Sequence, residues 1–299
     1  MKYLTIDIGG TFTKYAVMDE DLKIYEKSKV PTEKASVEAY IDMIVGLYEK
    51  YRSEAAGVAI SAPGMIDSEK GFMRTGGAIY CIENLDIIKI LSERIDVPVT
   101  IENDAKCAAM AEMARGSLQG CKNAAVLILG TGLGGAVFID GKLLRGRNLL
   151  AGEFSFLVSD VTDAINPEKM TGFTVCAPAL IKLAAEKTGI PAEELNGEEV
   201  FRMANEGNEA ALEALRLFAR RVAAQAINCQ FMFDPEKIAI GGGISAQPLL
   251  LQYVKEELPK IVDIYPQKTP LPDVTVCKFF NDSNLIGALS VLLDRYGQN

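Results

Sequence analysis

The sequence predicts a duplicated α/β protein, and three observations carry that prediction. The chain has 299 residues, which at roughly 150 residues per domain suggests two domains. Two segments open alike, as strand, Gly/Thr turn and strand: Tyr3–Met18 around Gly9-Gly10-Thr11, and Ala124–Ile139 around Gly130-Thr131-Gly132. Each then continues with alternating helical and strand patterns, as an α/β unit does.

Taken in order, Tyr3–Ile8, Lys14–Met18 and Ile24–Lys29 read as strands, separated by Gly9-Gly10-Thr11 and Asp19-Glu20-Asp21. Val37–Tyr51 places Val37, Tyr40, Ile41, Ile44, Val45 and Tyr48 at helical spacing. Ala56–Ile60 is a near-continuous apolar strand that stops at Ser61-Ala62-Pro63-Gly64. A helix is expected around Asp86–Arg94, a strand over Val97–Ile101, and a helix from Asn103-Asp104 to Arg115. Gly116–Asn123 is polar and contains glycine, which marks a domain boundary. Beyond it come the strand Ala124–Leu129, the glycine loop Gly130–Gly135 and the strand Ala136–Ile139. Helices are expected from Ala177 to Phe233, then the strand Lys237–Ile240, the turn Gly241-Gly242-Gly243 and a helix over Pro248–Leu258. The strand Val274–Cys277 and a helix over Asn284–Tyr296 close the pattern.

Composition removes several classes of function. Hydrophobic residues are 49% and charged residues 24%, the balance of a soluble globular protein. Lys plus Arg is 31 and Asp plus Glu is 40, a net charge of −9 that disfavours nucleic acid and anionic membrane as partners. There is no histidine. Ser-His-Asp and Cys-His nucleophiles, His-ligated metals and imidazole acid–base chemistry are therefore excluded. The six cysteines, Cys81, Cys107, Cys121, Cys176, Cys229 and Cys277, form no C-x-x-C pair and read as reduced core residues. Lys2 and a short apolar run ending at Asp7 do not make a signal peptide, and no apolar stretch nears 18 residues. A cytoplasmic protein is expected.

Three glycine turns follow apolar strands, and backbone N–H groups in such turns can approach a phosphate closely. Each alone reads as a tight hairpin or a packing glycine; the three together point to a nucleotide. Gly130, Gly132 and Gly135 match the spacing of a dinucleotide fingerprint, but Ala136-Val137-Phe138-Ile139 continues as strand where that fingerprint needs a helix. That turn is therefore a hairpin, and a Walker A motif is absent. Asp7, just before the first glycine pair, is either a turn cap or a carboxylate that reaches phosphates through the water of a bound Mg²⁺. Thr11, Thr13 and Lys14 would contact the same phosphates. In Glu102-Asn103-Asp104, Asn103 or Asp104 is an N-cap, or Asp104 is a general base with Asn103 orienting a polar substrate. Glu153, in Ala151-Gly152-Glu153-Phe154, is solvated surface or a third polar ligand.

Six segments in order resemble the ROK family (repressors, open reading frames, kinases), the sugar-kinase branch of the actin-like ATPases. They are Asp7-Ile8-Gly9-Gly10-Thr11, Ser61-Ala62-Pro63-Gly64, Glu102-Asn103-Asp104-Ala105, Gly130-Thr131-Gly132-Leu133-Gly134-Gly135, Ala151-Gly152-Glu153 and Gly241-Gly242-Gly243. The resemblance implies two actin-like (ribonuclease H-like) domains with a cleft between them. It places residues 1–118, with a C-terminal helix over 283–299, in the first domain and 119–282 in the second. It also implies ATP and Mg²⁺ as cofactors and a homodimer. Asp104 would deprotonate a sugar hydroxyl. Asn103, Glu153, Gly64, Gly77 and Phe156 would bind the sugar. Asp7, Gly9, Gly10, Thr11, Thr13, Lys14, Gly130, Thr131 and Gly132 would serve the phosphates, with Gly241, Gly242 and Gly243 near adenosine.

Two departures bear on the substrate. The family usually reads G-E-x-G-H, with a His that binds zinc and sugar, where this chain has Gly152-Glu153-Phe154-Ser155-Phe156. The family's cysteine-rich zinc loop is replaced by Asn166–Cys176, with one cysteine, so no zinc is expected. With Gly76-Gly77-Ala78-Ile79 upstream, the chain looks closest to the family's β-glucoside kinases. Glucokinase and N-acetylmannosamine kinase are the alternatives, and a non-catalytic sugar binder is the rival from another class. The family's repressors carry a DNA-binding segment before the first phosphate turn, and Asp7 is the seventh residue here.

Overall fold

The computed structural model describes residues 1–297. Residues 298 and 299, which the expected C-terminal helix includes, lie outside the described residues. Contacts divide the chain into two units, one of residues 1–116, 146–150 and 281–299, the other of residues 117–145 and 151–280. The second unit is thus interrupted by Gly146–Leu150, which a linear division at residues 118 and 119 does not express.

The first unit opens with β1 (Lys2–Ile8), β2 (Phe12–Asp19) and β3 (Ile24–Pro31), an antiparallel meander. Helix α1 (Val37–Tyr51) follows, its start fixed by Ser36, whose hydroxyl accepts the Ala39 N–H. Next come β4 (Ala55–Ala62) and a small antiparallel sheet of β5 (Ile66–Asp67), β6 (Phe72–Thr75) and β7 (Glu83–Asp86). Helix α2 (Ile87–Ser92), β8 (Val99–Asn103) and α3 (Asp104–Arg115) complete this run. The sheet order is β3-β2-β1-β4-β8, with β1, β4 and β8 parallel. The C-terminal helix Ser283–Tyr296 packs on α3, β4 and β1. β3 is an exposed edge, and Lys27 and Lys29 keep it from pairing further.

Two expectations shift here. β8 lies two residues beyond the expected strand, because Glu102 and Asn103 pair with Ser61 and Ala62 in the parallel ladder. The sheet of β5, β6 and β7 was not anticipated; its strands are too short to show an alternation. The core of this unit includes Tyr40, whose fully buried hydroxyl has no hydrogen-bond partner among the described residues. Burial also pushes its phenol above the ordinary tyrosine range. Tyr40→Phe is therefore expected to stabilise the protein by about 1 kcal/mol, since an unsatisfied buried hydroxyl costs about that much. A thermal melt should show a rise of roughly 2–4 °C, and a fall would mean that the hydroxyl is satisfied.

The second unit repeats the plan. β9 (Ala124–Leu129), β10 (Leu133–Ile139) and β11 (Lys142–Leu143) form an antiparallel meander. Short helical turns lead to α4 (Thr171–Thr174), then α5 (Ala177–Thr188), α6 (Gly197–Asn205) and the long α7 (Glu209–Phe233). β12 (Lys237–Gly241), α8 (Pro248–Val262) and β13 (Val274–Val276) finish it. The order is β11-β10-β9-β12-β13, with β9, β12 and β13 parallel. Counting strands within each five-stranded sheet gives 3-2-1-4-5 twice, so the duplication read from the sequence is a duplication of topology. The turn after β9 is a hairpin, with Leu133 paired to Leu129. Helix α8 runs past Pro259, because Leu258 and Val262 keep its apolar face on the core.

Candidate active site

In the first unit the site is built at the carboxyl ends of parallel strands, where open α/β sheets place their ligands. Register puts Lys14, Asp7, Ser61 and Glu102 in one row across β2, β1, β4 and β8. Asp7 is 6% exposed. Its Oδ1 accepts from Ser61 Oγ at 3.1 Å and from Asn284 Nδ2 at 2.9 Å, while Lys14 Nζ stands 3.7 Å from Oδ2. One carboxylate oxygen is thus clamped in place and the other faces a cation. The turn beyond it is braced by Thr32 Oγ1, which donates to the Gly9 carbonyl at 2.7 Å, and by Lys34 Nζ, which donates to the Gly10 carbonyl at 2.8 Å. Thr11 is exposed in this turn. Thr13 is not: its hydroxyl is fully buried and shares a 3.0 Å hydrogen bond with Thr32. Alternation along β2 turns Thr13 to the face opposite Lys14.

Asn103 and Asp104 divide the two readings of their segment between them. Asn103 is the N-cap of α3: its Oδ1 accepts from Lys106 N at 3.1 Å, and its Nδ2 donates to the Gly64 carbonyl at 3.1 Å. Asp104 is the first helical residue, half-buried, with Oδ1 accepting from Ala105 N at 2.8 Å. Gly64 has φ +108°, and a Cβ there would strike the Thr75 carbonyl and come within 2.8 Å of Gly77 N. Only glycine fits that contact, which seats the Gly76-Gly77 turn on Gly64 and so beside Asn103. A Cβ on Gly10 would lie 3.4 Å from Ala78 Cβ, so the Gly9-Gly10 turn adjoins the same group. Cys107 is buried below; desolvation and the Glu102 carboxylate push its thiol well up, leaving it protonated.

In the second unit the other two glycine turns meet. Gly241 pairs with Ile128, and Gly242, at φ +95°, lies where a Cβ would strike the Leu129 carbonyl, one residue before Gly130. The Gly130 carbonyl accepts from Ala177 N at 2.9 Å, which brings the positive end of α5 to the turn. Burial pushes up the Cys176 thiol at that helix start, so it adds no negative charge there. Thr131 is exposed, and Gly130 and Gly132 are half-buried. Glu153 is half-buried at the start of a short 3₁₀ turn, Phe154–Phe156, whose last ring is 66% exposed.

A family model described as ROK family matches residues 3–295. The chain belongs to the ROK family. It is similar to the β-glucoside kinase of Listeria monocytogenes, 34% identical over 260 residues that cover 86% of this chain and 88% of that protein. The β-glucoside kinase of Klebsiella pneumoniae is 30% identical over 259 residues, covering 86% and 87%. Among solved structures, a ROK family protein from Streptococcus pneumoniae TIGR4, crystallised with sucrose, superposes with a TM-score of 0.86 at 32% identity, covering 99% of each chain. The fold is that of the family, an actin-like α/β duplication, and the chain is an ATP-dependent sugar kinase.

Several neighbours of the candidate residues carry no signal in the sequence. Ser61 and Asn284 hold Asp7, yet Asn284 is 277 positions away and only the packed C-terminal helix brings it there. Lys106 is 2% exposed and donates to the Leu149 carbonyl at 3.3 Å. A lysine in a short helix pattern reads as surface, so no sequence signal marks it. Among the described residues no three His, Cys, Asp or Glu gather as a metal site, and no helix is long and apolar enough to cross a membrane.

Proposed function

We propose that this kinase phosphorylates the 6-hydroxyl of the non-reducing glucose of β-glucosides such as cellobiose or gentiobiose, with Asp104 as general base. The observation that carries the substrate is Phe156, an exposed ring three residues after Glu153, where the family pattern has a zinc- and sugar-binding His. A free anomeric hydroxyl facing that ring finds no hydrogen-bond partner in it. A β-linked second sugar or aryl group lacks that hydroxyl and offers a flat apolar face for the ring to cover. The names of the two relatives reported above support the same reading.

In this proposal the two units act as the two domains of the kinase, and the chain works as a homodimer. Asn103, fixed by α3 and Gly64, orients the sugar with Glu153, and one hydrogen of its amide remains to donate to a ring hydroxyl. Asp104 accepts the proton of the attacking hydroxyl. Lys14, Thr11 and the Gly9-Gly10 turn hold the transferred phosphate; Gly130, Thr131 and Gly132 hold the remaining phosphates at the start of α5, and Gly241–Gly243 adjoin adenosine. The Asp7 carboxylate, clamped by Ser61 and Asn284, suits a Mg²⁺ ion held through water. Such an ion, when bound, neutralises charge on the phosphates. No zinc is assigned.

The test is kcat/KM for cellobiose against glucose and N-acetylmannosamine under the same conditions. Cellobiose is expected to lead by several-fold, the scale of one aromatic contact worth on the order of 1 kcal/mol. Phe156→His should narrow that gap in favour of glucose. Preference for either monosaccharide in the unaltered protein would overturn the β-glucoside assignment.

A further inference from the structure

Ser155 lies between Glu153 and Phe156 and is half-buried. Its Oγ accepts the Leu133 N–H at 2.9 Å. Leu133 is the first residue of β10, directly after the Gly130-Thr131-Gly132 turn. A Cβ on Gly132 would come within 2.8 Å of this oxygen, and one on Gly172 within 2.9 Å, so the hydroxyl is wedged between the turn and α4. The flanking residues clamp the same segment onto the hairpin. A Cβ on Gly152 would lie 3.0 Å from Ala136 Cα, the Phe154 ring packs against Gly135, and the Phe154 carbonyl accepts from the Thr171 hydroxyl. Where the family pattern has a glycine, this chain has a side chain that bonds the segment of Glu153 and Phe156 to the phosphate hairpin.

Resting on the function proposed above, we infer that Ser155 is a positioning residue that couples sugar binding to nucleotide binding. Sugar held by Glu153 and Phe156 orders residues 152–156. The Ser155–Leu133 hydrogen bond passes that order to the end of the hairpin, and so to the backbone N–H groups that receive phosphate. Linkage makes the effect reciprocal: nucleotide must tighten sugar by the same factor. One neutral hydrogen bond limits the coupling to about fivefold, the low end for coupled sites.

Calorimetry tests this on the full chain. The affinity for a non-hydrolysable ATP analogue with Mg²⁺ is measured with and without saturating cellobiose, for the unaltered protein, Ser155→Ala and Ser155→Gly. The expected result is an increase of about fivefold on adding sugar to the unaltered protein, falling close to onefold in both variants. Each ligand alone should bind within about twofold of normal, a pattern that a general loss of structure would not give. As a second measurement on the unaltered protein, sugar alone should slow amide hydrogen exchange across residues 130–136. Coupling that survives in either folded variant, or an unaltered protein in which sugar leaves both nucleotide affinity and exchange unchanged, overturns the inference. Failure of the β-glucoside assignment looks different: cellobiose gives no heat while glucose or N-acetylmannosamine does, and the coupling is then read with that sugar.

Discussion

Asp104→Asn is expected to lower kcat by roughly 10²–10⁴ while leaving sugar affinity within a few-fold of normal. The substitution keeps the shape, and the new carbonyl oxygen can still accept the Ala105 N–H that now reaches Oδ1. What it removes is the ability to take a proton. The competing explanation is that Asp104 merely caps α3, and here the structure separates the two roles. The capping oxygen belongs to Asn103, which accepts from Lys106 N, and Asp104 is already inside the helix. Its charge in the first turn is worth about 0.3–1 kcal/mol of stability. A 10²–10⁴ loss of rate corresponds to about 2.7–5.4 kcal/mol at 1.36 kcal/mol per decade. A melting temperature close to normal with a collapsed kcat would therefore assign the loss to chemistry. Near-normal turnover would leave Asp104 as a first-turn acid and remove the general base from the mechanism.

Much of the fold was legible because its signals are local. The 3.6-residue spacing in Val37–Tyr51 and the apolar run of Ala124–Leu129 each depend on neighbours in sequence, and both elements form as read. The hairpin at Gly130–Gly132 was legible for the same reason: strand residues follow it where a helix would have to start. Reading failed where pairing across the sheet decides. Glu102 and Asn103 fall beyond the expected strand Val97–Ile101, yet the parallel ladder with β4 extends through both and buries them. Thr13 looks like part of a phosphate turn, but β2 begins at Phe12, and strand alternation sends its hydroxyl inward to Thr32. The surroundings of Asp7 were illegible altogether. They need the register of three strands and a helix from the far end of the chain, and no window of sequence contains both.

Those surroundings set the second large effect. Asp7→Asn is expected to raise the Mg²⁺ concentration for half-maximal activity by about 10–100-fold, the usual cost of losing an outer partner of a metal ion. Stability should change little. Ser61 and Asn284 both donate to Oδ1, and an asparagine carbonyl can accept from both. The new amide would face the Lys14 ammonium, but that side chain is 43% exposed and can move away, so the lost ion pair is worth under about 1 kcal/mol. The lost charge, by contrast, would weaken the hold on an ion bound through water. Excess Mg²⁺ should therefore restore much of the activity of Asp7→Asn and none of that of Asp104→Asn, because a metal cannot replace a missing proton acceptor. Titration of both variants with Mg²⁺ under saturating ATP and sugar makes the comparison. If the loss in Asp7→Asn is the same at every Mg²⁺ concentration, Asp7 only anchors the C-terminal helix to β1 through Asn284, and the metal must be held by other groups.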